Sequence, residues 1–275
     1  MYLSCLLINV GDNPDRPRPG RLWLRNRYHV HQRLCMAFPT PSQREQDPEF
    51  LMPYEPCGFL DPRPERCAVV AEQVSPSRGI APEAADRPIH VPRDKAHNFL
   101  HRVDVTPNGR VVILVQSALE PDWDYAFHNA RHLLAALPET KADERRFERG
   151  QRLRFRLLSN PTKRLREASL DANGQPVDRE SFGKRVPVPP DQWNAWLGRR
   201  APLGGFKLTS IESLEPGYVY VNKTHETGKG QQLRAVRYDG ILEVVDADRF
   251  REIIIRGIGP AKAFGFGLLS VAPVR

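Results

Sequence analysis

Long apolar runs are missing from this 275-residue chain. No stretch approaches the roughly 20 residues that a membrane-spanning helix needs. The opening MYLSCLLINVGDN has neither a basic leader nor a small-residue cleavage site, so a cytoplasmic protein with no membrane partner is expected. Cysteine is scarce. Cys5, Cys35, Cys57 and Cys67 show no Cys-x-x-Cys spacing, which excludes a zinc knuckle or a disulfide framework and leaves ordinary thiols. Also absent are an acidic cluster suited to Mg²⁺ and the paired strand aromatics on which RRM-type sheets stack bases. Negative charge is in deficit overall, with 33 Asp and Glu against 41 Lys and Arg and a formal net charge of +8. That balance favours a phosphate-rich partner, because neutralising phosphates with Lys and Arg releases condensed counterions.

The cations are concentrated in one place. From Gly150 the chain reads GQRLRFRLLSNPTKRLR, in which Arg152, Arg154 and Arg156 alternate with Leu153, Phe155 and Leu157, and Lys163, Arg164 and Arg166 follow. A strand sends alternate side chains to opposite faces, so this pattern predicts one apolar face and one row of guanidiniums. From Arg149 to Arg166 inclusive there are seven cations and no carboxylate. Surfaces that only need solubility mix their signs, so a polyanion is the expected occupant.

Periodicity divides the chain in two. Leu3 to Val10 reads as a strand, and Asn26 is placed to cap a helix whose Val30, Leu34, Ala37 and Phe38 share a face, with Pro39 and Pro41 ending it. Strand-like runs follow at Ala68 to Gln73 and Arg110 to Ala118, separated by a Pro-rich charged stretch from Ser75 to Arg93, and a helix is expected from Tyr125 to Leu137. Pro138 to Arg149 is charged and aperiodic, which puts the boundary there. Beyond it come the arginine strand, a helix from Pro190 to Arg200, and strands at Phe206 to Ile211, Gly217 to Asn222 and Gln232 to Tyr238. A helix from Asp246 to Arg256 and a strand from Gly265 to Val271 complete the order. The economical architecture is α+β, two tandem ferredoxin-like (RRM-like) βαββαβ domains over residues 1–138 and 150–275, the first with an insertion around 42–101.

Five separated segments, RYHVHQRL, RLRFRLLSNPTKR, GKRVPV, LEVVDADRF and GIGPAKAFGFGLLSVAPVR, together resemble the CasE family, precursor-CRISPR-RNA endoribonucleases of type I-E systems. The resemblance runs in order through both halves and lapses mainly between Ser42 and His101. It implies tandem ferredoxin-like domains, binding of a CRISPR repeat hairpin, cofactor-free and metal-independent cleavage at the base of its stem, and retention of the product among the other Cascade subunits. The matched catalytic pattern falls on Tyr28 and His31. Where some relatives carry a Lys five positions after the His, this chain has Met36, so the charge-stabilising role must pass to another cation or weaken.

Such cleavage uses the ribose 2′-hydroxyl as nucleophile and leaves a 2′,3′-cyclic phosphate and a 5′-hydroxyl, so the protein must take a proton, give one and stabilise the crowded phosphate. Tyr28 and His31 lie three residues apart on one helical face, beside the apolar stripe, and both are expected at the surface. His31 suits a general acid, since an imidazole titrates near neutral pH. Tyr28 needs cations to lower its pKa before it can act as a base, or it only orients the hydroxyl. His29 points about 200° away from His31 and is the rival. The pairs His97 with His101 and His128 with His132 have helical i, i+4 spacing, but no Glu or third ligand accompanies them, so solvated helix faces are the expectation rather than a metal site.

The glycines from Gly257 to Gly267 serve tight turns and also let backbone N–H groups, with Lys262, approach phosphates. The tip NKTHETGKGQ, with Lys223, His225 and Lys229, corresponds to a basic hairpin that contacts the RNA stem in the CasE family. Arg27, Arg152, Arg154, Arg156, Lys163, Arg164, Arg166, Lys184 and Arg185 complete the expected RNA-binding set. Recognition by shape follows from the missing aromatic signature. A non-catalytic RNA-hairpin-binding subunit is the alternative, and a metal-dependent nuclease using the histidine pairs is a further one.

Overall fold

The computed structural model describes residues 1–11, 19–39, 99–164, 185–223 and 230–274. The expected strand at Ala68 to Gln73, the Ser75 to Arg93 stretch, Cys57, Cys67, His97, Arg166, Lys184, His225 and Lys229 lie outside these residues. The chain divides into two compact units, one of residues 1–99 and 103–143, the other of 100–102 and 144–275.

In the first unit, β1 (Tyr2–Ile8), β2 (Phe99–Val105), β3 (Val111–Ser117) and β4 (Glu139–Ala142) form a sheet in the order β2-β3-β1-β4, with β1 antiparallel to both β3 and β4. Alternation writes β1: Ser4, Leu6 and Ile8 are buried while their neighbours are partly exposed. Among the described residues the unit's helices are α1 (Pro19–Arg25), α2 (Arg27–Cys35) and α3 (Trp123–Phe127). Val30 and Leu34 of α2, Ile113 of β3 and Phe127 of α3 meet in one core, where Trp23 sets its ring edge-on to Phe127 at 6.0 Å.

Two strands lie where the sequence predicted none. β2 begins inside the stretch read as an insertion, and β4 falls in the charged boundary segment, where Ser4 and Thr140 share a hydroxyl hydrogen bond of 2.9 Å. The helix expected from Tyr125 to Leu137 is shorter and earlier. Asp122 caps it by accepting from the Tyr125 N–H at 2.9 Å, and after Phe127 the chain continues only as a 3-10 turn at Arg131–Leu133.

The second unit repeats the order. β5 (Arg152–Ser159), α4 (Trp193–Gly198), β8 (Phe206–Val221), β9 (Gln231–Val244), α5 (Ala247–Arg256) and β10 (Leu269–Pro273) give a sheet ordered β10-β5-β9-β8. Between β5 and α4, β6 (Thr162–Arg164) and β7 (Arg185–Pro187) pair as a separate antiparallel ribbon. Numbered within each unit, both sheets read 4-1-3-2, and the chain is a tandem ferredoxin-like α+β protein. Leu157, Leu197, Phe206, Tyr238, Phe250 and Ile254 are fully buried in the second core. Asp246 caps α5 through the Arg249 N–H at 3.0 Å.

Candidate functional site

Helix α2 carries the expected chemistry of the first unit. Asn26 sits in extended backbone conformation and its side chain accepts from the Tyr28 N–H at 3.1 Å, which starts the helix one residue before Tyr28. The register then sets Arg27, His31 and Cys35 one turn apart on a single face with Tyr28 beside them. Tyr28 is half-buried and His29 exposed, with their rings 6.5 Å apart. His31 departs from the surface position the sequence predicts, being only 5% exposed. Its ring lies 5.7 Å from that of Phe99 at an interplanar angle of 31°, and Cys35 Sγ is 3.6 Å from Nε2 and 3.8 Å from Nδ1. Leu34 is only about 60° round the helix from His31, so an aromatic on β2 that covers the apolar stripe also covers the imidazole. Met36 is buried, so no cation occupies that position.

Arg27 is half-buried as a residue, but its Nη1 atom is sealed from solvent and makes no hydrogen bond among the described residues. Desolvation pushes its pKa down to about 10. Arg33 is also desolvated, which lowers its pKa to about 10, yet its Nη1 donates to Ala126 O at 3.0 Å and Asn129 Oδ1 at 2.8 Å.

In the second unit β5 alternates as the sequence requires. Arg152, Arg154 and Arg156 are exposed, while Leu153, Phe155 and Leu157 are buried. The cross-strand register changes the electrostatics. Arg156 lies opposite Asp239 and Arg152 opposite Glu243, whereas Arg154 faces Ile241 on β9 and Ala272 on β10. Asp239 accepts from Arg156 Nε at 2.6 Å and from Arg237 Nε at 2.8 Å, and Glu243 pairs with Lys207 at 2.9 Å. The row of bare guanidiniums predicted by the sequence is therefore partly neutralised by carboxylates from β9. Lys163, Arg164 and Arg185 are exposed on the β6–β7 ribbon, where Arg164 and Arg185 are cross-strand partners.

The Gly-rich segment folds as a compact loop after α5. Gly257 has φ +70°, and a Cβ there would meet Gly267 O at 2.7 Å, so the position admits little but glycine. Lys262 is half-buried and donates to the Arg256 carbonyl; desolvation, then the Arg256 charge, lowers its pKa. Lys223, exposed where β8 ends, reaches to 5.8 Å from the Phe264 ring centroid. This places the start of the basic tip beside the Gly-rich loop.

The β8–β9 ribbon holds residues the sequence reading passed over. Tyr218 and Tyr220 are 57% and 39% exposed, while the intervening Val219 is buried. Arg234, opposite Tyr218, donates to its hydroxyl at 3.2 Å and pairs with Glu215 at 3.2 Å. A Cβ at Gly230 would collide with the Tyr220 ring, so that glycine lets the ring lie against the backbone. The available signal was Tyr-x-Tyr, whose period of two on a strand puts both rings on one face.

The histidine pairs do not form helical pairs. His101 is fully buried on β2, and His128 follows the end of α3 while His132 lies in the 3-10 turn. Among the described residues no three His, Cys, Asp or Glu side chains are grouped as for a metal ion, and no helix is long and apolar enough to cross a membrane.

Comparison with known proteins gives this geometry its context. A family profile described as CRISPR associated protein matches residues 78–273. CRISPR-associated endoribonuclease Cse3 of Thermus thermophilus is 38% identical over 172 residues, 59% of this chain and 73% of that protein. CRISPR system Cascade subunit CasE of Escherichia coli is 33% identical over 186 residues, 66% of this chain and 84% of that one. Among solved structures, Thermus thermophilus Cse3 bound to an RNA representing a pre-cleavage complex is similar with a TM-score of 0.61 at 28% identity, over 99% of this chain and 98% of that one. The Escherichia coli protein Cas6e, 23% identical with a TM-score of 0.55 over 100% of both chains, shares the fold. The profile, the relatives and the tandem 4-1-3-2 sheets agree, and the chain belongs to the CasE/Cse3 family of CRISPR-associated proteins.

Proposed function

We propose that this chain is a CRISPR-RNA processing endoribonuclease that cuts a precursor transcript at the base of its repeat hairpin and stays bound to the product with the other Cascade subunits, in the cytoplasm. The carrying observation is likeness over essentially the whole chain to an endoribonuclease solved with its RNA before cleavage. The second unit binds the stem through Arg152, Arg154, Arg156, Lys163, Arg164, Arg185 and Lys223, with Arg166, Lys184 and Lys229 contributing from outside the described residues. Tyr218 and Tyr220 offer ring faces on which unpaired bases stack, so recognition draws on more than shape.

The chemistry is assigned to α2. Tyr28 takes the 2′-hydroxyl proton, or orients the hydroxyl while solvent water takes it; O2′ attacks phosphorus, the P–O5′ bond breaks, and His31 gives its proton to the departing O5′. The products are a 2′,3′-cyclic phosphate and a 5′-hydroxyl. Since His31 lies under Phe99, this role requires its ring to turn outward when RNA is seated.

His31 burial favours a second reading, a subunit that binds the hairpin without cutting it. Incubating repeat RNA with the protein in EDTA and mapping the ends separates the two. Cleavage to a cyclic phosphate that is lost in His31→Ala and kept in His29→Ala supports the first reading. Tight binding with intact RNA at every pH supports the second.

A further inference from the structure

Arg27 occupies a position that ought to be unfavourable three times over. It is the first residue of α2 and so places a cation at the positive end of the helix dipole. Its guanidinium is desolvated, and its Nη1 is buried with no hydrogen-bond partner among the described residues. Two other desolvated arginines, Arg33 and Arg102, do not share this state. Arg33 has a backbone carbonyl and an amide oxygen. Arg102 donates to Arg156 O at 3.2 Å, Leu268 O at 3.4 Å and Ser270 Oγ at 2.9 Å. A guanidinium has five donors in a rigid fork and no way to shed its charge at neutral pH, so one left unsatisfied in a native fold calls for a missing acceptor.

Position identifies that acceptor's chemistry. Arg27 lies one helical turn before His31 and next to Tyr28, on the face to which the cleavage chemistry is assigned. A helix N-terminus with an unpaired guanidinium is a site for a phosphate oxyanion. Position 36, where the resemblance to the CasE family places a lysine in some relatives, is here a buried methionine. We propose that Arg27 is a catalytic residue that binds the non-bridging oxygens of the scissile phosphate and supplies the charge stabilisation that Met36 cannot. This rests on the endoribonuclease reading for the identity of the phosphate, but the existence of the anion site does not.

Two measurements on the full-length protein keep these apart. In thermal unfolding, Arg27→Met removes an uncompensated charge, so it unfolds at or above the wild-type temperature. Inorganic phosphate stabilises the wild type more than Arg27→Met, while Arg251→Met, at an exposed position on α5, keeps the wild-type response. An equal phosphate response in wild type and Arg27→Met overturns the site whether or not RNA is cut. In single-turnover cleavage of repeat RNA, Arg27→Met is slowed about 100-fold, the scale for loss of one oxyanion donor. Its affinity for RNA carrying a 2′-deoxy sugar at the cut changes less than about threefold. Guanidinium ion restores part of the rate to Arg27→Ala but none to His31→Ala. Cleavage by Arg27→Met within about threefold of wild type overturns the catalytic role. A wild type that binds phosphate through Arg27 yet never cuts RNA instead overturns the endoribonuclease reading and leaves the anion site standing.

Discussion

At the scale of single residues, a like pKa depression by burial does not mean a like role. Arg27 and Arg33 lie on the same short helix, and both have pKa values lowered to about 10 by burial. What differs is the partner. Arg33 ties α2 to the end of α3 through Ala126 O and the Asn129 side chain, which makes it a fastening rather than a reagent. Arg33→Met is expected to lower unfolding stability by about 3 kcal/mol, since it removes charge-assisted hydrogen bonds and strands two acceptors, with little change in cleavage per folded molecule. Urea unfolding followed by fluorescence measures the first and single-turnover cleavage the second. Asn26 was legible from sequence because an N-cap is a local event. The cover over His31 was not, because Phe99 arrives from β2, distant in the chain and hidden in a segment that resembles an insertion.

At the scale of elements, periodicity carried the apolar faces, and pairing carried what periodicity could not. The alternation in β5 specifies that its arginines point one way, yet nothing in that segment says that β9 will set Asp239 and Glu243 against two of them. Likewise, Pro216 and Gly217 suggest a break between two strands, whereas β8 runs through from Phe206 to Val221 and absorbs them in a register shift between Leu214 and Gly217. A bulge accommodates a residue with no N–H to donate. The pairing has a measurable consequence. Asp239→Asn frees Arg156 and Arg237 for phosphate, so RNA binding should tighten severalfold at low salt and depend more steeply on salt. The gain should vanish in the triple variant that adds Arg156→Ala and Arg237→Ala to Asp239→Asn. Filter binding across a salt series tests this, and weaker binding by Asp239→Asn would show that the carboxylate orders the arginines rather than competing for them.

At the scale of the whole molecule, a net charge of +8 makes phosphate attraction the sequence-independent part of binding, and on the proposed reading stacking on the exposed tyrosines adds a part that salt does not screen. Each phosphate contact contributes about 0.7 to 0.9 to the slope of log affinity against log salt. Arg154 is set against Ile241 and Ala272, with no carboxylate across from it. Arg154→Ala should therefore reduce that slope by about one contact. Stacking of a base on an aromatic ring carries about 1–3 kcal/mol and releases no counterions. Tyr218→Ala and Tyr220→Ala should each weaken binding of a repeat RNA with unpaired flanks by about tenfold, leave the slope unchanged, and barely affect the same hairpin trimmed to its stem. Arg234 complicates Tyr218 alone, since it holds that hydroxyl and could be displaced with it. Tyr218→Phe keeps the ring and drops the hydroxyl, so it should bind as the wild type does if the ring face is what matters. Tyrosine variants that flatten the salt slope as Arg154→Ala does, or that weaken the trimmed stem equally, would show the ribbon acting through charge or through its own folding instead.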